Sequence, residues 1–151
     1  MLTNLGVHIK VNNFKASYDF YTLLGFKKVF EYGPDKSAKE DYSGATFEVG
    51  GCKLEIANGH RAVKPEVFKE HLTSSKLSLM VNVDALSALL TICSRKHIQI
   101  AVPPRHFYWG TLELVIKDPD GTVLVFIAPY SAEEAAKVNA DETFATKPKI
   151  V

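Results

Sequence analysis

LGVHIKVNNFKASYDFYTLLGFKK, residues 5–28, and LSLMVNVDALSALLTICSRKHIQI, residues 77–100, share one layout. Each opens on alternating apolar residues, the period-two pattern of a strand with one buried face. Each then passes through apolar residues at helical spacing and closes on a second strand. A slide of 72 positions sets Met80 on His8, Val83 on Val11, Ala88 on Ala16 and Ile98 on Phe26. Few identities survive, so the repetition is one of pattern and not of text. It decides the fold, because a repeated sequence unit implies a repeated piece of architecture.

In the first copy, Leu5, Val7, Ile9 and Val11 alternate with Gly6, His8 and Lys10, which puts a histidine on the polar face of a strand. Asn12 or Asn13 is an N-cap candidate. Phe14, Tyr18, Tyr21 and Leu24 follow at helical spacing, and Gly25 stands where a helix ends in a left-handed turn. Phe26 to Tyr32 reads as a strand, and residues 34–40 as a polar loop. ATFEV and CKLEIA are two further strands about a Gly50-Gly51 hairpin turn. The order is β-α-β-β-β. Later in the second copy, GTVLVFIA lies over GCKLEIA at a slide of 70, pairing Leu124 with Leu54 and Val125 with Glu55. The chain thus reads as α+β: two tandem βαβββ modules at about 3–58 and 76–130 within a domain of residues 1–130. Residues 59–75 form a linker with a short helix begun at Pro65. Residues 131–151 carry a helix from Ser131 and then a polar tail, loosely held or draped over a partner subunit.

Composition narrows the function classes. Hydrophobic residues make up 46% and charged residues 23% of the 151, the balance of a soluble globular protein able to bury a core without staples. Eighteen Lys and Arg against 17 Asp and Glu give a net charge of +1, no footprint for nucleic acid or an anionic membrane. The N-terminal sequence has no signal-peptide pattern, and no stretch of about 18 apolar residues suits a membrane span. Cys52 and Cys93 have no metal or redox spacing and read as reduced thiols, so the cytoplasm is the expected location.

Three passages resemble the vicinal oxygen chelate superfamily, which includes glyoxalase I, bleomycin-resistance proteins and extradiol dioxygenases. SYDFYTLLGFK resembles its first-helix signature. WGTLELVIKDPDGTVLVFI resembles its second-half signature of Trp-Gly before one strand and Asp-Pro-Asp-Gly before the last. The third feature is the doubled β-α-β-β-β order, and together they span residues 4–130. The resemblance implies curled mixed sheets around a cup with helices outside, the paired halves coming from one chain or from two.

It also implies four cup-facing positions, which supply ligands in metal-binding relatives: His8, Glu55, Met80 and Val125. His8 and Glu55 suit zinc, iron, nickel or manganese, whereas a thioether is a poor donor to a hard cation and valine has none. A catalytic site usually keeps three protein ligands, and two are on offer; Ser78 and Asn82 share the Met80 face but are weak donors. No cofactor is therefore the expectation, with a divalent metal on His8 and Glu55 as the alternative. A histidine satisfied in place, without function, is the competing reading of His8.

Val123, Val125 and Ile127 share a face with Met80 as an apolar wall. Phe107, Tyr108 and Trp109 add flat rings that favour a planar ligand, unless Trp109 packs as core beneath its hairpin. Lys10, Lys53 and Arg105 lie near the expected rim. Asp-Pro-Asp-Gly at 118–121 lacks the rest of a calcium or phosphate loop and reads as a turn. The ligand-binding candidates are thus His8, Glu55, Met80, Val125, Phe107, Tyr108 and Trp109. The expected function is sequestration of a small apolar or aromatic molecule, by a homodimer, as bleomycin-resistance relatives do. The alternatives are a glyoxalase- or dioxygenase-like metalloenzyme in which Glu55 moves a proton, and an interaction module that uses the tail.

Overall fold

The computed structural model describes residues 1–59 and 77–149, so the linker helix expected from Pro65 lies outside the described residues. The chain forms two compact units, Met1–Thr73 and Ser74–Val151. In the first, β1 (Gly6–Lys10), α1 (Phe14–Leu23), β2 (Lys27–Tyr32), β3 (Gly44–Val49) and β4 (Cys52–Ala57) follow the order read from the sequence. The sheet order is β1-β4-β3-β2, with β1 parallel to β4 and the other pairs antiparallel. In the second, β5 (Ser78–Asn82), α2 (Leu86–Lys96), β6 (Ile100–Phe107), β7 (Thr111–Lys117) and β8 (Val123–Pro129) form the sheet β5-β8-β7-β6 in the same pattern. The fold is α+β with two four-stranded mixed sheets. The duplication is carried into the registers: His8 lies opposite Glu55 as Met80 lies opposite Val125.

Local chemistry explains each boundary. The Asn13 side chain accepts a bond from the Ala16 N–H at 3.0 Å and starts α1. Gly25, at φ 95°, supplies the left-handed residue that ends the helix. The helix buries Ser17, Phe20 and Tyr21, whereas Phe14 and Tyr18, expected on the inner stripe, are half-buried. Behind α1 the buried residues Ala45, Phe47, Leu54 and Ile56 come from alternate positions of β3 and β4. Tyr21 meets Phe26 edge-on at 5.2 Å and Phe47 at 6.0 Å, so the core is aromatic. In the second unit Leu112, Leu114, Ile116, Leu124, Phe126 and Ala128 alternate inward along β7 and β8, where α2 buries Leu86, Leu89 and Cys93. One face of each sheet is thereby taken by the core, and the other is left for the site. Among the described residues no helix is long and apolar enough to cross a membrane. Asp118 opens the Asp-Pro-Asp-Gly turn, its carboxylate accepting from the Asp120 and Thr122 N–H groups at 2.9 and 2.8 Å.

The tail belongs to its own unit. The Asp141 N–H donates to the Pro104 carbonyl, and the His106 and Tyr108 N–H groups donate to the carbonyls of Asp141 and Phe144. Residues 141–144 thus cover the outer edge of β6, whose Pro103-Pro104 pair sits at a register shift. His106 adds a bond to the Glu142 carboxylate at 2.6 Å and stacks on Tyr130 at 3.8 Å.

A short helix, α3 (Ala132–Lys137), does one further job. The N-cap of α2 is Ala85, which has no capping side chain. Buried Glu134 replaces it, accepting from the Ser87 N–H at 2.7 Å and the Ser87 hydroxyl at 3.1 Å. A carboxylate there also meets the positive end of the helix dipole. Glu134→Ala is expected to lower stability by about 1–2 kcal/mol in urea unfolding. A change within ~0.5 kcal/mol, the norm for surface positions, would contradict the capping role.

Candidate functional site

The face of the first sheet opposite α1 carries the site. Registers align Phe30, Thr46, Glu55 and His8 in one lateral row across β2, β3, β4 and β1. Their neighbours Phe47, Leu54 and Ile56 point the other way, into the core, because successive strand residues alternate faces. Above the row lies an open cleft of about 560 Å³, within the range of small-molecule sites. Its polar lining includes His8, Thr46, Glu48, Lys53 and Glu55, and its apolar lining Val7, Val29 and Phe30. Phe30 is 52% exposed, an unusual state for a phenylalanine and one that offers a ring face to a bound molecule.

Glu55 is held by a residue that sequence reading passed over. The Tyr32 hydroxyl donates to the Glu55 Oε1 at 2.6 Å. Tyr32 pairs with Gly44 in the sheet, and a Cβ on Gly44 would stand 2.1 Å from the Tyr32 Cζ. The missing side chain is what lets the ring lie across the sheet and reach β4. Tyr42 braces that ring edge-on at 5.6 Å. In turn Tyr42 lies where a Cβ on Gly59 would be, 2.6 Å from its Cγ. Burial, and then the bond to the Glu55 carboxylate, push the Tyr32 phenol well above the ordinary tyrosine range.

This shift has a pH consequence. The folded-state value is raised, so the stability Tyr32 contributes is fully present below the unfolded phenol's pKa of about 10 and is lost as pH rises past it. In a tyrosinate absorbance titration, the Tyr32 step is expected above the ordinary tyrosine range, identified as the step lost in Tyr32→Phe. Glu55→Gln should bring that step down, and an unmoved step would contradict the Tyr32–Glu55 coupling.

The remaining candidates lie in the second unit. Met80, Val125, Val115 and Val102 form the equivalent lateral row of β5, β8, β7 and β6. Met80 is 71% exposed. Phe107 is buried, and Trp109 stacks on it at 4.5 Å with planes 7° apart. The Trp109 indole N–H donates to Glu113 at 2.9 Å, and Tyr108 meets the indole edge-on at 5.0 Å. Trp109 is therefore half-exposed with one face and its N–H engaged. Of the expected rim cations, Lys53 lines the cleft, Lys10 is exposed on β1, and Arg105 lies over the rings of Phe107 and Phe144.

The donors do not fit a divalent ion. Among the described residues no group of three His, Cys, Asp or Glu side chains is placed to hold one. His8 and Glu55 are adjacent by register, but Glu55 is already bonded to a phenol, and the equivalent pair in the second unit is a thioether and a valine.

Comparison with known proteins places this geometry in context. The family described as Glyoxalase/Bleomycin resistance protein/Dioxygenase superfamily matches residues 6–126. No curated protein matches the chain. Among solved structures, a point mutant of the genomically encoded fosfomycin resistance protein FosX from Listeria monocytogenes, complexed with Mn(II) and 1S,2S-dihydroxypropylphosphonic acid, superposes with a TM-score of 0.64 at 12% identity, over 91% of this chain and 99% of that one. A bleomycin resistance determinant encoded on the transposon Tn5 gives 0.57 at 23%, over 86% and 100%. SMU.1112c gives 0.61 at 21%, over 84% and 98%. At these identities the likeness is one of fold.

Proposed function

For a chain that belongs to the Glyoxalase/Bleomycin resistance protein/Dioxygenase superfamily, we propose binding of a small apolar or aromatic molecule, without a metal, on the open face of the first sheet. The observation that carries this reading is the row Phe30, Thr46, Glu55 and His8 above an open cleft of about 560 Å³. An exposed ring and two valines offer apolar contact, and the polar row fixes orientation. The bleomycin resistance determinant of Tn5 shares the fold, and sequestration is the outcome of binding proposed here. FosX, solved with Mn(II), supports the competing reading, a metalloenzyme in which His8 and Glu55 hold the ion. The donor set described above favours the first.

Two measurements on chelator-free protein test the choice. Elemental analysis is expected to give metal far below one equivalent per chain. Calorimetric titration with small aromatic molecules is expected to give saturable binding that added Mn(II) leaves unchanged. One equivalent of metal, or binding that requires it, would overturn the reading. Both cysteines are free thiols, Cys93 buried, which suits a reducing compartment such as the cytoplasm. The assembly proposed is a two-fold homodimer, the commonest for soluble chains, with a mass in solution twice 16.7 kDa.

A further inference from the structure

We propose that Tyr32 stands in for a cation beside Glu55, and that the phenol–carboxylate pair is a polar anchor selecting ligands with N–H or O–H donors over ligands with chelating oxygens. The inference rests on the small-molecule reading above and gives that molecule a chemical class.

Tyr32 satisfies one of the roughly four lone-pair positions of the Glu55 carboxylate, through a 2.6 Å bond to Oε1. A phenol satisfies the carboxylate without neutralising it. No described lysine or arginine forms an ion pair with Glu55, so the half-buried carboxylate is still suited to a charge-assisted donor. The rest of the cleft points the same way. Its lining holds two carboxylates, Glu48 and Glu55, against one ammonium, Lys53, with the His8 imidazole opposite Glu55 in the register. An anionic oxygen ligand would meet that excess of negative charge, and a donor ligand is drawn to it.

Geometry sets the shape of the ligand. Phe30 and Tyr32 lie two residues apart on β2 with ring centroids 6.0 Å apart, and Phe30 shares the lateral row with Glu55. A flat molecule lying against the Phe30 ring therefore reaches the carboxylate with groups on its edge. Aromatic or apolar amines and amidines answer this description, as cation–π attraction to an exposed ring adds to the carboxylate bond.

The fixed position of the anchor is built by the backbone. Gly44 admits the Tyr32 ring and Gly59 admits the bracing Tyr42, so two glycines far apart in sequence define where one phenolic oxygen stands. That investment in position suits a recognition element, since polar groups in binding sites act by orientation.

Calorimetry with three near-isosteric probes, benzamidine, benzyl alcohol and benzoate, tests the proposal. Benzamidine is expected to bind at least tenfold more tightly than benzoate, with benzyl alcohol between. Glu55→Gln should abolish that preference. Tyr32→Phe, which keeps the ring over Gly44, should weaken benzamidine by about three- to tenfold with thermal stability and near-ultraviolet dichroism preserved. The benzamidine-to-benzoate ratio is the deciding readout, because a merely structural Tyr32 would weaken all three probes alike. Equal binding of the three, or weakening without a change in ratio, overturns the anchor and leaves the small-molecule reading standing. Benzoate binding that appears only with Mn(II), or a silent panel, overturns both.

Discussion

Phe47→Ala is expected to destabilise the first unit by about 3–5 kcal/mol, the range for emptying a large aromatic site. Phe47 is fully buried on β3 and lies within 6.3 Å, ring to ring, of Tyr18, Tyr21 and Phe26. Those rings come from α1 and from the residue just before β2, so one side chain joins the helix to the sheet. The neighbours are large and rigid, and they collapse poorly into the space left behind. Thr46, the preceding residue, lines the cleft, and its position depends on the same strand. Urea unfolding followed by tyrosine dichroism measures the loss; a value below ~1 kcal/mol would mean that the core is organised differently.

Gly44→Ala is expected to disable the cleft at much smaller cost to the fold. The added methyl group would fall 2.1 Å from the Tyr32 Cζ and 2.2 Å from its hydroxyl oxygen. The clash is with the far end of a side chain that can swing away, so the strand survives and the ring does not stay. Tyr32 then loses Glu55, its phenol titrates in the ordinary tyrosine range, and benzamidine affinity falls at least tenfold, about 1.4 kcal/mol. The loss of stability is expected to remain below ~2 kcal/mol. Unchanged benzamidine affinity together with a displaced Tyr32 would separate the anchor from binding.

The sequence made the architecture plain for a physical reason. Each unit must bury one sheet face under its own helix, and that requirement writes period two and helical spacing twice along the chain. The same alternation put His8 and Glu55 on the exposed face, and the registers set them side by side. Tyr32 escaped notice because its role depends on Gly44, its sheet partner twelve positions along the chain, and on Glu55 one strand further away. Pairing β2 with β3 as a hairpin would have placed Phe30 opposite Thr46 and Tyr32 opposite a glycine, which is the available signal. Glu134 left no such mark, since the helix end it caps is 47 residues away. The tail read as polar and loose because its grip on β6 combines backbone bonds, which carry no side-chain pattern, with Glu142 and Phe144 contacts to residues more than 35 positions back.

The central claim is that a ligand is held on the first sheet beside His8, Thr46 and Glu55. Amide-shift mapping by heteronuclear NMR during a benzamidine titration tests it most directly. The expected result is a cluster of shifts at Val7, His8, Thr46 and Glu55, absent in Glu55→Gln. Shifts gathered instead on Tyr108, Trp109 and Val125 would contradict it.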